Sequence, residues 1–293
     1  MAESRVIAVP RDRWVLVHGH IFKNAGSTIL SILDRCFGSR LATLHGPAHD
    51  STIRAPELAA FLLANPEIAA VSSHHTAYPL PVIANTILFD LCFFRHPLLR
   101  LWSMYRYFRS TQASGDLASC ARSRPAPEFF DLLVAEYPHL VNDAQVTWVA
   151  NGGVYTRPPT AQDLRVAMER VRQISVLGVV ELFDESAVTA EYFLRPTFPS
   201  LRFDYVAQNV SASAGDGPAD ELFRHEVGTV RYAQLERMNR LDAQLLAFAR
   251  EELLRRFEMV PDRGERLISL RERCKALESV TATVHGGISG GRA

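Results

Sequence analysis

The stretch from Lys23 to Thr28 concentrates groups that bind anions. Lys23 supplies a positive charge, Gly26 lets the backbone approach a ligand closely, and Ser27 and Thr28 add hydroxyl donors. A β-branched apolar run precedes this stretch and apolar residues at helical spacing follow it. We therefore predict a strand, a turn the size of a phosphate group and a helix whose first N–H groups face that turn.

Three observations bear on how specifically this stretch indicates an anion site. The lysine of a Walker A loop follows its second glycine, whereas Lys23 precedes Gly26 by three positions, so this is not that loop. A plain strand-to-helix turn with a Ser or Thr cap explains the stretch about equally well when it is considered alone. However, Lys23 and Lys275 are the only lysines among 32 basic residues, which indicates that position 23 needs a compact point charge.

Two further polar clusters follow predicted strands. The apolar run 68–71 leads to His74 and His75, and the run 86–94 leads to the segment from Arg95 to Ser103. Ligands of open parallel sheets bind beyond the carboxyl ends of the strands. We therefore expect these clusters and the Lys23 stretch to converge on one site.

The first cluster resembles the loop that binds the 5′-phosphosulfate in sulfotransferases that use 3′-phosphoadenosine 5′-phosphosulfate (PAPS). The likeness is strongest to the branch containing heparan sulfate 2-O-sulfotransferase, where the loop commonly reads H-I-P-K-T-(A/G)-G-(S/T)-T. In the segment 20–28, Phe22 replaces the proline and Asn24 the threonine. The resemblance implies that the cofactor is bound by Lys23, Asn24, Ala25, Gly26, Ser27 and Thr28.

The third cluster is similar to the 3′-phosphate site of the same family. Arg95-His96-Pro97 ends a predicted strand, and Ser103 lies on the helix that follows. The resemblance implies that Arg95 and Ser103 hold the 3′-phosphate, to which an arginine fork can donate paired hydrogen bonds. Considered singly, the two residues are better explained as a strand-end ion-pair partner and a solvated helix residue.

The second cluster supplies a candidate base. His75-Thr-Ala-Tyr78 resembles the family's H-x-x-(Y/F) element, whose histidine is the proposed proton acceptor. A histidine of near-neutral pKa suits this role, because an alcohol is a poor nucleophile until its proton is removed. Neighbouring strand residues point to opposite faces, so only one of His74 and His75 is expected to face the acceptor. The motif favours His75, with Lys23 as the second catalytic residue, and His74 is the alternative.

The resemblance continues outside the loops, over residues 14–257. It includes an N-x-x-Q-x-T segment from Asn142, a G-x-x-E-x-F-D-x-S segment from Gly178 and an N-x-x-D element from Asn239. We assign these motifs to structural support and possible acceptor contacts. Glu181, within the second motif, is either a carboxylate near the acceptor or a helix-capping or ion-pairing residue.

The order of predicted elements defines a fold class. The first three strands are followed by a helix from about 161 to 173, a strand at 175–180, a helix from about 184, a strand at 201–205 and a long amphipathic helix at about 230–257. This alternation predicts an α/β fold with a mostly parallel central sheet flanked by helices. The resemblance implies a P-loop-NTPase-like sulfotransferase fold. We expect one domain over residues 1–278, a surface loop at 211–218 and a disordered tail at 279–293.

Composition limits the partners and the location. The 32 basic residues balance 32 acidic ones, which argues against nucleic acid as a partner. The four cysteines lack the spacing of a zinc site or a disulfide framework, and we expect no metal. No segment approaches the roughly 20 apolar residues that span a bilayer, and no signal peptide is evident, so a cytoplasmic location is expected.

Taken together, the resemblance implies an enzyme that transfers a sulfuryl group from PAPS, its co-substrate, to an acceptor hydroxyl. The branch favours a carbohydrate or glycoconjugate as acceptor, with in-line displacement and a histidine base. The alternatives are a small-molecule or natural-product hydroxyl, a nucleotide-dependent kinase and a non-catalytic nucleotide-binding protein. The oligomeric state stays open.

Overall fold

The central sheet has five strands, all parallel, and helices flank it. This computed structural model describes residues 12–47, 51–112, 114–206 and 216–288. The sheet order is β2-β3-β1-β4-β5, with β1 at Arg13–Gly19, β2 at Leu41–Thr43, β3 at Ala70–Ser73, β4 at Thr86–Phe94 and β5 at Val176–Val179. The predicted α/β class is therefore confirmed.

A helix follows every strand except β3, after which the next element is β4. The helices are α1 (Gly26–Phe37), α2 (Ala55–Ala64), α3 (Pro97–Ser110), α4 (Asp116–Ser123), α5 (Ala126–Glu136), α6 (Pro138–Val141), α7 (Ala144–Asn151), α8 (Ala161–Gln173), α9 (Phe183–Leu194), α10 (Asp216–Val227), α11 (Thr229–Met238), α12 (Arg240–Glu258) and α13 (Arg263–Ile288). Short 3-10 turns cover Gly38–Arg40 and Val180–Leu182.

The two faces of the sheet bury alternate residues of each strand. On β4, Leu91 and Phe93 face a core formed with α1 and α9, while Cys92 and Phe94 face a second core formed with α7, α8 and α12. This period-2 alternation over two covered faces explains why the strand reads as a continuous apolar run. A further aromatic cluster packs α3 against α4, α5, α10 and α11.

The order of the strands creates a crevice beside β1. The chain runs from β1 to β2 and β3 on one side, and then crosses to β4 and β5 on the other. Such a reversal of direction leaves a gap beyond the carboxyl ends of the two strands where it occurs, and parallel sheets bind their ligands there. The loops after β1, β3 and β4 border this gap.

Two predicted elements differ from the structure. The strand predicted at 201–205 is wrong, because this segment has no regular structure and its backbone bonds to side chains instead. Phe203 N–H donates to Glu191 (2.7 Å) and Tyr205 N–H to the sulfur of Cys274 (3.2 Å). The long helix predicted at about 230–257 is interrupted at Asn239, where α11 ends and α12 begins.

The chain beyond residue 205 contains the remaining differences. Helix α13 continues to Ile288, so residues 279–288 of the predicted tail are helical, and residues 289–293 lie outside the described residues. Residues 211–215 of the predicted loop also lie outside them, and residues 216–218 open α10. Among the helices that the structure describes, none has the length and hydropathy needed to cross a membrane.

Candidate functional site

The three polar clusters lie at the same edge of the sheet. Gly19, at the end of β1, pairs with Ser73 of β3 on one side and with Cys92 of β4 on the other. One residue later, His20 N–H still donates to the Ser73 carbonyl (2.9 Å). The segments after these three strands therefore leave the sheet as neighbours, as the sequence predicted.

The loop between β1 and α1, residues 20–25, ends at the N-terminus of α1. Lys23 and Ala25 have left-handed φ angles of 69° and 61°, and Ala25 is the N-cap residue of α1. Among the described residues, no side chain caps this helix at Ala25, and its first turn contains no acidic residue. The helix dipole therefore leaves partial positive charge there. This lysine loop thus offers a backbone site for an anion.

The Lys23 ammonium is held over aromatic rings at the mouth of the loop. Its Nζ lies 4.2 Å from the ring centre of Tyr107 and 5.6 Å from that of Phe22. Burial, together with the positive charge of Arg95, lowers the pKa of Lys23 to about 8. Cation–π contacts of this kind stabilise a partly desolvated charge by about 1 kcal/mol each. The ammonium is therefore poorly hydrated and available to an anionic ligand.

Gly26 is required by a neighbouring side chain. A Cβ at this position would lie 1.4 Å from Nε2 of His20, whose ring occupies that space. The sequence explains the glycine by the approach of a ligand, and the structure adds the packing of His20 as a second reason. Helix α1 can therefore begin close to β1, directly against the lysine loop.

Arg95 contacts the lysine loop directly. Its Nη1 donates to the Lys23 carbonyl (3.1 Å), and its buried Nε has no hydrogen-bond partner among the described residues. Gln145 holds the Arg95 backbone at both ends, accepting from the N–H (3.0 Å) and donating to the carbonyl (2.8 Å). Burial lowers the pKa of Arg95 while the nearby Glu181 raises it. Two cations from separate elements thus border one helix terminus.

Asn24 connects the lysine loop to β4 and to Gln145. Its side-chain amide donates to the Phe93 carbonyl (2.8 Å) and to Gln145 Oε1 (2.7 Å). Only 1% of Asn24 is exposed. Its side chain therefore ties the loop to β4, and its backbone N–H donates to the Ile21 carbonyl within the loop (3.1 Å).

Asp143 and Asp242 cap the helices α12 and α7, next to Gln145. Asp143 accepts from the N–H groups of Leu241 (2.8 Å) and Asp242 (2.9 Å) at the start of α12. Asp242 in turn accepts from Gln145 (3.0 Å) and Val146 (2.8 Å) at the start of α7. Burial and the neighbouring Asp242 raise the pKa of Asp143 to about 7. Burial also raises the pKa of Asp242, against the opposing charge of Arg100.

Glu181 caps the turn that carries Arg95. Its Oε1 accepts from the His96 N–H (2.9 Å), at the N-cap of α3, and its buried Oε2 has no partner among the described residues. The three motifs that begin at Asn142, Gly178 and Asn239 contribute Gln145, Glu181 and Asp242. These side chains form one network behind Lys23 and Arg95. Their assignment to structural support agrees with these contacts.

The histidines at the site were mostly missed by the sequence analysis. The rings of His18, His20 and His74 stack in series, with centroid separations of 5.2 and 3.6 Å. Burial is the main cause that lowers the pKa of each, to about 3 for His18, to about 4 for His74 and well below the usual value for His20. The sequence contains one indication of this histidine stack: His18 and His20 are two positions apart, and residues two apart on a strand share a face. All three are neutral near pH 7.

The other predicted site residues differ in burial and in hydrogen bonding. His75 is half-buried and accepts a hydrogen bond from the Gly46 N–H at Nδ1 (2.7 Å). Ser27 is exposed and Thr28 buried in the first turn of α1. Ser103 lies half-buried in α3, and the described residues include no hydrogen bond between it and Arg95. The hydrogen bonds of the described residues thus join Arg95 to Lys23 and include none between Arg95 and Ser103.

No protein-family model matches this chain. It is similar to an uncharacterized protein of Archaeoglobus fulgidus, with 24% identity over 245 residues, which cover 80% of this chain and 95% of that protein. The likeness extends over most of both chains and names no activity. Function therefore has to be argued from the site itself.

The arrangement suits the binding of a polyanion. It combines the N-terminus of α1, an ammonium and a guanidinium, all within a partly buried crevice where charge interactions are stronger than in water. The neutral rings of His20 and His74 lie beside the lysine loop. Binding of a phosphate-bearing ligand beside a proton acceptor is the chemistry that these groups support best.

Proposed function

We propose that this protein is a PAPS-dependent O-sulfotransferase that transfers a sulfuryl group to a hydroxyl of a carbohydrate or glycoconjugate. The observation that carries the proposal is the convergence of Lys23 and Arg95 on the uncapped N-terminus of α1. A ligand with phosphates at two ends matches two cations from separate elements. A P-loop-NTPase-like sulfotransferase fold is part of the same proposal.

The residues present fit such a donor. The N-terminus of α1 and the Lys23 ammonium suit a 5′-phosphosulfate. The buried Arg95 Nε, which has no partner among the described residues, suits a 3′-phosphate that Ser103 would also contact. The family resemblance supplies this division between the two phosphates. Asn24 takes part by holding the loop in place, because its side chain donates to Phe93 and Gln145 and its backbone N–H donates to the Ile21 carbonyl.

The proposed chemistry needs charge stabilisation and one proton acceptor. PAPS supplies an activated sulfuryl group joined to a good leaving group. Lys23 and the loop N–H groups stabilise the negative charge that develops on the bridging oxygen, and the buried network fixes them before the reaction. A histidine from the segment after β3 accepts the proton of the attacking hydroxyl.

The acceptor is the least constrained part of the proposal. The resemblance favours a sugar hydroxyl, while the balance of 32 basic and 32 acidic residues gives no general field for a long polyanion. A small-molecule or natural-product hydroxyl is the alternative. Labelled PAPS incubated with fractionated host glycans and metabolites, followed by mass spectrometry for an added sulfuryl group, distinguishes the two.

Nucleotide selectivity tests the function itself. We expect titration calorimetry to show that adenosine 3′,5′-bisphosphate (PAP) binds at least about 100-fold more tightly than ATP or ADP, because Arg95 serves a second phosphate position. Tighter binding of ATP would favour a kinase instead. Failure of PAP, ATP and ADP alike to bind would contradict every nucleotide-dependent function.

Arg95→Ala tests the 3′-phosphate assignment. We expect the Kd for PAP to rise about 10- to 100-fold, since charged hydrogen bonds contribute about 1.5–3 kcal/mol each. Affinity for adenosine 5′-monophosphate, which lacks the 3′-phosphate, should change much less. Arg250→Ala is the matched control, because Arg250 is exposed on α12. Equal losses for both nucleotides would contradict the assignment.

The lowered pKa of Lys23 predicts a pH effect. An ammonium whose pKa is about 8 loses its charge as the pH rises through 8, so kcat/KM for PAPS should fall on the alkaline side. In Lys23→Arg the charge persists, because a guanidinium does not deprotonate in this range. A pH profile from 6 to 10 should therefore lose its alkaline limb near 8 in this variant. The same limb in both proteins would assign it to another group.

A further inference from the structure

The adjacent histidines after β3 make opposite hydrogen bonds through Nδ1. In His74, Nδ1 lies 2.9 Å from the backbone carbonyl oxygen of His20. A carbonyl oxygen only accepts, so this nitrogen carries a hydrogen. In His75, Nδ1 accepts from the Gly46 N–H at 2.7 Å, so this nitrogen carries none.

These bonds fix opposite tautomers. A neutral imidazole has one N–H, and the bond made by one nitrogen decides the state of the other. Neutral His74 therefore presents an unprotonated Nε2, to which the described residues donate no hydrogen bond, whereas neutral His75 carries its proton on Nε2. A general base must present a free lone pair, and only His74 does so through Nε2.

The surroundings of the two rings support this distinction. The ring of His74 stacks on His20 at 3.6 Å and meets the edge of Phe22 at 6.3 Å, and the same Phe22 ring lies 5.6 Å from the Lys23 ammonium. His74 thus belongs to the lysine loop. His75 instead lies against the segment after β2, where its ring is 6.2 Å from that of His45.

The charge state of His74 is suited to accepting a proton. Burial lowers its pKa to about 4, the bond to the His20 carbonyl opposes this, and the nearby His45 and His75 add to the lowering. His74 is therefore neutral throughout the physiological range. Phosphate groups bound at the lysine loop would raise its pKa toward neutrality by favouring the imidazolium.

We infer that His74, oriented by the carbonyl of His20, is the catalytic proton acceptor, and that His75 is not; this rests on the proposed function. In the step, the acceptor O–H bond breaks and its proton goes to Nε2 of His74 as the new O–S bond forms. The bond between sulfur and the bridging oxygen breaks, and PAP leaves with that electron pair. His74 later returns the proton to water.

Nitrogen NMR tests the tautomers without any activity. In long-range 1H–15N spectra of the free protein near pH 7, with peaks assigned by His74→Asn and His75→Asn, we expect His74 to be protonated at Nδ1 and His75 at Nε2. Asn can imitate Nδ1 of each ring, so both variants can keep the bonds to the His20 carbonyl and the Gly46 N–H. A His74 protonated at Nε2 would overturn the inference.

The same variants test the catalytic role. With labelled PAPS and pooled host glycan and metabolite fractions, we expect His74→Asn to lower sulfuryl transfer at least about 100-fold and His75→Asn less than about 10-fold. PAP affinity should stay within about three-fold of wild type in both. The reverse order of losses, with PAP binding intact, would overturn the inference alone. Absence of PAP binding and of transfer in the wild-type protein would overturn the proposed function as well.

Discussion

Lys23→Ala is expected to lower kcat/KM for PAPS by at least about 100-fold, the usual cost of removing a group that stabilises charge in the transition state. The ammonium lies beside the uncapped start of α1 and close enough to Arg95 for the two charges to interact. Its loss removes a point charge that the loop N–H groups cannot replace. Steady-state kinetics measures kcat and KM, and calorimetry measures the affinity for PAP. We expect kcat to fall more than PAP affinity.

The chain supplies a matched control for this experiment. Lys275 is its only other lysine and is exposed on α13. Lys275→Ala should leave kcat, KM and PAP affinity within error of wild type. Equal activity of the two variants would remove Lys23 from the mechanism, whatever the rest of the site does.

Asp242→Ala is expected to lower the free energy of unfolding by about 3 kcal/mol or more. The carboxylate accepts from the N–H groups of Gln145 and Val146 at the start of α7. It also balances the charge of Arg100, which is 1% exposed. Removing the carboxylate leaves two buried N–H groups without their acceptor, at about 1–3 kcal/mol each, and removes the opposite charge nearest to Arg100. Urea unfolding followed by tryptophan fluorescence measures the change.

Two further variants separate the causes of this loss. Asp242→Asn keeps a side-chain oxygen for the α7 cap but removes the charge, so its stability should fall between those of wild type and Asp242→Ala. Asp34→Ala, at an exposed position of α1, should stay within about 0.5 kcal/mol of wild type. If Asp242→Ala unfolds at the same urea concentration as Asp34→Ala, the network does not stabilise the fold.

Local sequence patterns predicted the framework of the sheet well. The apolar run at 86–94 coincides with β4, and the helix predicted from about 161 to 173 coincides with α8. These patterns depend on the period of a strand or helix and on the cover of both faces of the sheet, which neighbouring residues encode directly.

Patterns failed where distant groups replaced the local partners. The segment 201–205 has the composition of a strand, but its backbone bonds to the side chains of Glu191 and Cys274. The long helix predicted at about 230–257 is interrupted because Asp143, far away in sequence, caps a new helix at Leu241. In both cases the deciding partner lies far away in the sequence.

The candidate site divides in the same way. The alternation of strands and helices along the sequence predicts a parallel sheet, so Lys23, Arg95 and the histidine pair, which follow its strands, are expected at one edge. Only the folded chain shows that the Asn24 side chain turns into the protein, that Gln145 and Asp242 hold the loop and that His74 and His75 have opposite tautomers. These outcomes depend on hydrogen bonds between segments that are distant in sequence, and local patterns do not encode such bonds.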